Sequence, residues 1–360
     1  RERLFVTLDA ANYQSIVTPD GSFPTTNLPI TGNRVDSSTF GVRPSWQQPI
    51  GSAKLLLEAG IRRVDYDGEQ FQSSDDKNGH FRLDNIESQQ GLAWAVDYRY
   101  RRMEYELSLP YEFQRASLNL GFWLNGTLRI FAEGGVETPY DAFLDPAMDA
   151  DFWEAGFQYK PNQRMDLEMA AGDRSYGDSY RGRFSYELRR GSVTASYSEG
   201  PTTRADQAFN QRPLNDTDNL DGILDRPGAS DRYIQHRGEV SVSIDLAKSN
   251  LTVRVFNEKR DARTTAEGEP LPDEEFSGAA IRWSWDMGTK TTLGIGGDIS
   301  ERDQVSGKDD LLRASVDLAY QFSQRLSLRA EAIHSDQERD ESSSFDYTEN
   351  QVRLYLSSEF

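Results

Sequence analysis

The chain contains no cysteine in its 360 residues, so neither disulfides nor thiolate chemistry can brace or serve it. It also lacks any apolar run approaching the roughly 20 residues of a membrane helix. The most apolar stretches, 53–61 and 92–96, are short. If the chain enters a bilayer, it must do so as a closed β-barrel, the other architecture that satisfies every backbone polar group without water. Positive charge is in deficit: Lys and Arg number 40 against 59 Asp and Glu, for a net charge of −19. That balance excludes the basic stripe of a nucleic-acid binder. Histidine is scarce, and none of His80, His236 and His334 lies in a Gly-x-Ser-x-Gly elbow or a His-Glu-x-x-His helix, so no catalytic activity is expected. Linkers rich in Pro, Gly or Ser are missing too, which predicts one domain over 1–360 without a plug. The chain starts at Arg1 with no Met and no apolar leader, the expectation for a mature form whose targeting segment has been removed.

What is present is alternation with period two, from end to end. Hydrophobic residues make up only 36% and mean hydropathy is −0.71, yet a membrane barrel needs apolar side chains on its outer face alone. Leu92, Trp94, Val96, Tyr98 and Tyr100 share one face against Asp97 and Arg99. Leu118, Leu120, Phe122 and Leu124 alternate with Ser117, Asn119 and Trp123, and Leu312 to Phe322 alternate with Arg313, Ser315, Asp317 and Gln321. The runs are longer than the five or six residues usual for soluble strands. Connectors alternate between short (125–126, 161–163, 190–191, 248–250, 288–289, 323–325) and long (17–36, 138–150, 204–230, 264–274, 340–346). The expectation is an all-β, single transmembrane antiparallel barrel of about 18 strands, with short periplasmic turns and longer extracellular loops. Removing one hairpin from 74–110 would leave 16.

That register turns one set of residues toward the lumen: Arg43, Arg62, Arg99, Arg115, Trp123, Arg129, Phe131, Glu133, Arg181, Arg183, Arg189, Arg237, Arg254, Arg282, Asp286, Arg313, Asp317, Arg329, Glu331 and Arg353. Basic and acidic groups nearly balance there, so the net negative charge must sit in loops and strand ends. Two readings compete for the lumen charges. Arg–carboxylate ladders could brace a wide hydrated wall, or arginine rows such as Arg181, Arg183 and Arg189 could guide an anionic or hydroxylated solute. The inward aromatics Trp123, Phe131, Phe256 and Tyr355 could stack on sugar rings or pack against arginine stems. No cofactor is expected, except that Asp216, Asp218, Asp221 and Asp225 with Gly222 could hold Ca²⁺. Leu220 there departs from the EF-hand pattern, and a solvated acidic loop is the alternative.

The last strand carries the same alternation. Val352, Leu354, Leu356 and Phe360 face lipid, and a terminal aromatic on such a strand resembles the signal read by the outer-membrane assembly machinery. Over Arg115–Glu199 the chain also resembles the EpsL-like outer-membrane barrels associated with exopolysaccharide and PEP-CTERM systems. The matching stretches are Arg115-Ala-Ser-Leu-Asn-Leu, 128–135, 152–159, Arg164-Met-Asp-Leu-Glu-Met, 180–190 and 192–199, together with 349–356. The resemblance implies no catalytic residue. It implies an outer-membrane conduit that secretes an exopolysaccharide, with the glycan, outer-membrane lipid and lipopolysaccharide, the assembly machinery and periplasmic export proteins as partners. A general or solute-selective porin and a non-conducting scaffold for export proteins are the alternatives.

Overall fold

A computed structural model describes residues 3–16, 34–67, 73–85, 91–106, 110–138, 150–203, 232–264, 273–304, 307–323, 325–339 and 346–358. It is all-β, with 18 strands and no helix among these residues. The strands are β1 (Arg3–Ile16), β2 (Arg34–Ile50), β3 (Ala53–Asp67), β4 (Ser74–Asp84), β5 (Gly91–Tyr105) and β6 (Tyr111–Trp123). They continue with β7 (Leu128–Glu137), β8 (Asp151–Asn162), β9 (Met165–Arg174), β10 (Gly177–Leu188), β11 (Gly191–Thr203) and β12 (Arg232–Asp245). The series closes with β13 (Ser249–Thr264), β14 (Glu274–Asp286), β15 (Thr291–Gln304), β16 (Gly307–Ser323), β17 (Leu326–Arg339) and β18 (Tyr347–Ser358). Each strand pairs antiparallel with the next in sequence, so the whole is one meander of hairpins rolled into a barrel. The 16-strand alternative falls, because β4 and β5 form a full ladder from Ser74↔Tyr105 to Asp84↔Ala95.

The two faces differ as the alternation requires. One is concave: Arg181 on β10 reaches past β9 to Glu154 on β8 at 3.0 Å, and Arg174 on β9 reaches past β8 to Glu137 on β7 at 2.7 Å. Only side chains converging on the inside of a curved sheet can span an intervening strand in this way. Glycines make room for them. Arg282 on β14 meets Asp317 on β16 at 2.9 Å across Gly294 of β15, where an added Cβ would overlap the Asp317 carboxylate. Gly294 and Gly296 form a Gly-x-Gly pattern inside β15. The former is in fact the gap through which two strands reach each other.

The convex face is an apolar belt of exposed Leu92, Leu118, Leu120, Phe122, Ile130, Val253, Ile281, Ile295, Val316, Leu318, Val352, Leu354 and Leu356. A 15-residue strand such as β3 spans about 50 Å, or roughly 38 Å of height at a tilt near 40°, against an apolar band of about 25 Å. Strands therefore project beyond the belt. Their projecting outer sides carry charge, as in the pairs Arg63–Asp65 at 2.8 Å, Lys77–Glu104 at 2.8 Å and Lys308–Glu301 at 2.8 Å. All of these lie toward the long-loop end. The opposite end has tight turns, several of them braced by a polar side chain or by a glycine in a left-handed conformation. Asn125 accepts the Thr127 and Leu128 N–H groups at 3.2 and 3.0 Å, and Gly126 has φ +74°. Three details differ from expectation. Residues 161–162 belong to β8, the β10–β11 turn is Arg189–Arg190 with Gly191 opening β11, and the β9–β10 link at the long-loop end is only Ser175–Tyr176.

Candidate lumen site

The registers place Arg43, Arg62, Arg99, Arg115, Trp123, Arg129, Phe131, Glu133, Arg181, Arg183, Arg237, Arg254, Arg282, Asp286, Arg313, Asp317, Arg329, Glu331 and Arg353 on the concave face. Arg189 is the exception. It sits in the exposed β10–β11 turn, because β10 ends at Leu188 and the chain must reverse before Gly191. Phe360 and the loop bearing Asp216, Asp218, Asp221 and Asp225 lie outside the described residues.

Most of the inward charges neutralise one another in arrays that cross several strands. On β6–β10, Arg115 pairs with Glu133 at 3.0 Å and lies 3.7 Å from Glu137, while Arg181 joins Glu154, Glu168 and, at 4.0 Å, Glu133. On β12–β15, Arg237 meets Glu258 at 2.8 Å and Glu239 at 3.0 Å, and Arg254 lies 3.9 Å from Glu239. Arg260 bridges Glu258 at 2.6 Å and Glu274 at 3.2 Å. On β14–β17, Asp317 is shared by Arg282 and, at 3.4 Å, Arg329, which also approaches Glu331 at 3.7 Å. Arg313 stands 4.0 Å from Asp298, and Asp286 accepts from the Thr292 hydroxyl at 2.9 Å. On β3–β5, His80 lies between Glu58 at 3.4 Å and Asp97 at 2.8 Å, and Asp97 also accepts Arg99 at 2.9 Å.

Aromatic rings floor these arrays. The Arg115 guanidinium sits 4.0 Å above Phe152, Arg260 4.1 Å above Phe276, and Arg129 and Arg181 lie 5.0 and 5.3 Å from Phe131. Phe152 and Phe276, together with the buried cluster Val64, Met103, Tyr105 and Tyr111, were not singled out by sequence. Their signal was available: each shares the parity of its strand's charged residues.

A few cations stay outside the arrays. Arg43 and Arg183 are exposed on the lumen wall with no ion pair among the described residues. Arg353 bonds only the Gln351 amide oxygen, at 2.9 Å. Arg129 bonds Asn119 and is buried against Gly121. The charges left outside the arrays are of both signs, because Glu187 and Asp286 are also exposed on the concave face with no ion pair among the described residues.

Fold and site together define a β-barrel whose concave face carries mixed, largely paired charge. No family model matches the chain, and no curated protein matches it. Among solved structures it is similar to Pseudomonas aeruginosa OpdQ, at 9% identity, with 98% of each chain covered and a TM-score of 0.46. It is also similar to Pseudomonas aeruginosa OccK2 (OpdF) in complex with glucuronate, at 12% identity, covering 100% of this chain and 98% of that one, with a TM-score of 0.44. A third similar structure is OmpT, an outer membrane protein of Vibrio cholerae, at 11% identity, covering 95% and 99%, with a TM-score of 0.36.

Proposed function

We propose that the chain is an outer-membrane porin, a conduit for small hydrophilic solutes. Its long-loop end would face outward and its short turns the periplasm. The observation that carries this reading is the division of the lumen charges. The paired arrays hold the wall, and the exposed Arg43 and Arg183, the half-buried Arg353 and the exposed carboxylates Glu187 and Asp286 are left to meet solute. A barrel of this strand number leaves an aqueous interior.

Secretion of an exopolysaccharide, the role implied by the EpsL-like resemblance, fits the lumen less well. It called for inward rings on which sugars could stack. Trp123, Phe131 and Phe256 are only 3%, 6% and 5% exposed, the last two beneath guanidinium groups, so three of the four rings are closed to sugars, while Tyr355 is half-buried and directs its hydroxyl to Glu331 at 3.5 Å.

Reconstitution of the purified protein in planar bilayers tests the proposal. Discrete conductance steps are expected, with a reversal potential under a KCl gradient that reports the ion preference. Replacing Arg43, Arg183 and Arg353 by glutamine together should move that potential toward the cation side while leaving steps of similar size. A barrel that never conducts would overturn the reading. So would a gene deletion that abolishes surface polysaccharide while leaving solute uptake intact.

A further inference from the structure

The β10–β11 ladder runs from Leu188↔Gly191 at the short-turn end to Gly182↔Tyr197, where it stops short of Pro201. Toward the long loops the two strands stay together through side chains. The Tyr180 N–H donates to the Glu199 carboxylate at 2.9 Å, and the Tyr176 hydroxyl donates to the Glu199 carbonyl at 3.2 Å. Within the ladder, Arg183 lies opposite Ser196, Ser185 opposite Thr194 and Glu187 opposite Ser192, all six turned toward the lumen. None of these side chains enters a hydrogen bond or an ion pair among the described residues, and Arg183, Glu187, Thr194 and Ser196 are exposed. The wall on either side is different. Toward β9, Glu168 is held by Arg181, and Asp166 by Lys160 at 2.9 Å and the Gln158 amide at 3.1 Å. Toward β12, Glu239 is held by Arg237 at 3.0 Å, and Ser243 accepts the Asn250 amide at 2.9 Å. Between these engaged columns stands one block of wall whose donors and acceptors are free.

We propose that this block binds short peptides with free ends, an inference that rests on the conduit reading and names a solute for it. Arg183 and Glu187 stand on one face of β10, about 13 Å apart along the strand, and do not pair. A simple anion that meets Arg183 leaves Glu187 unanswered, and a simple cation does the reverse. A zwitterion answers both, provided its charges are well separated. The ammonium and carboxylate of a free α-amino acid are bound to one carbon and cannot span the gap. An extended tripeptide reaches roughly 10 Å, and the length of the arginine and glutamate side chains covers the difference. Its carboxylate takes the guanidinium through paired hydrogen bonds, and its ammonium takes the Glu187 carboxylate. The peptide N–H and C=O groups between them meet the hydroxyls of Ser185, Thr194 and Ser196, each both a donor and an acceptor. Glu187 is the nearer of the two charges to the short turns, so the peptide lies with its amino end toward that end of the barrel.

Saturation-transfer NMR with triglycine on the detergent-folded barrel reads the binding, and single-channel recording with triglycine in the bath reads its effect on the open current. Triglycine should bind and should interrupt the current transiently. N-acetyl-triglycine, which lacks the ammonium, and triglycinamide, which lacks the carboxylate, should each bind several-fold more weakly. Arg183→Gln and Glu187→Gln should each weaken triglycine binding several-fold. Arg183→Glu combined with Glu187→Arg should restore it, because the peptide then lies the other way round. Triglycine binding that both single variants leave unchanged, or capped peptides that bind as well as triglycine, would overturn the proposal. Binding that follows the two charges in a barrel that shows no conductance would support the peptide site while sinking the conduit.

Discussion

At the scale of single residues, burial decides which charges matter for stability. Glu137 has a side chain only 1% exposed, and it accepts Arg174 at 2.7 Å, the Ser175 N–H at 3.3 Å and the Ser175 hydroxyl at 3.1 Å. Removing the carboxylate strands a guanidinium that is itself 8% exposed. Glu137→Ala should therefore lower the unfolding free energy by about 3 kcal/mol, read as a shift of the urea midpoint of the folded barrel in lipid. The exposed Lys77–Glu104 pair, 2.8 Å apart, is the control, and Glu104→Gln should leave that midpoint where it is. This scale was only partly legible in the sequence. Period-two parity assigns Arg181 and Asp317 to the lumen side, because a side chain's face follows from its strand's register. It cannot say that Arg181 has three carboxylates and Arg183 none, since those partners come from strands as far as two and three places away. Arg189 was misplaced for a local reason, a turn that begins one residue earlier than the charge pattern suggested.

At the scale of elements, strand length and order were read closely from alternation, while the contacts between strands depend on where side chains are missing. Gly294 is the clearest case. A valine there would push the Asp317 carboxylate away from Arg282, so Gly294→Val should destabilise the barrel by about 1–3 kcal/mol in the same urea assay. Gly288 lies in the β14–β15 turn, has no left-handed φ, and has open space where a side chain would stand, so Gly288→Ala should be neutral. Equal effects at the two glycines would remove the argument that β14 and β16 meet through β15. The early end of the β10–β11 ladder had one visible cue, the proline at 201. It went unread because alternation on both flanks continues past it: Tyr180 and Arg181 still alternate, as do Ser198 and Glu199. Periodicity reports the backbone's pleat, and a strand keeps its pleat when only one of its two edges is paired.

At the scale of the whole molecule, charge and apolarity are sorted by height as well as by face. Along β16 the outer side reads Phe322, Tyr320, Leu318, Val316, Ala314 and Leu312, and then Asp310, so a single strand passes from belt to projecting rim. If the belt lies in hydrocarbon, the cost of one charge must depend on where along that line it is placed. Val316→Arg, at a position 48% exposed within the belt, should destabilise the barrel in vesicles by about 2–4 kcal/mol. Asp310→Arg, on the same face of the same strand, should cost about 0–1 kcal/mol, as expected near an interface. Folding both variants into lipid vesicles and titrating with urea measures the difference. The comparison holds strand, face and introduced residue constant, so depth is what remains. A soluble β-structure would also bury one face, but it would have no reason to tolerate arginine at the rim and reject it further along the same exposed surface. If the two variants unfold at the same urea concentration, the convex face is not a membrane belt, and the lumen charges would need a different solvent to account for their pairing.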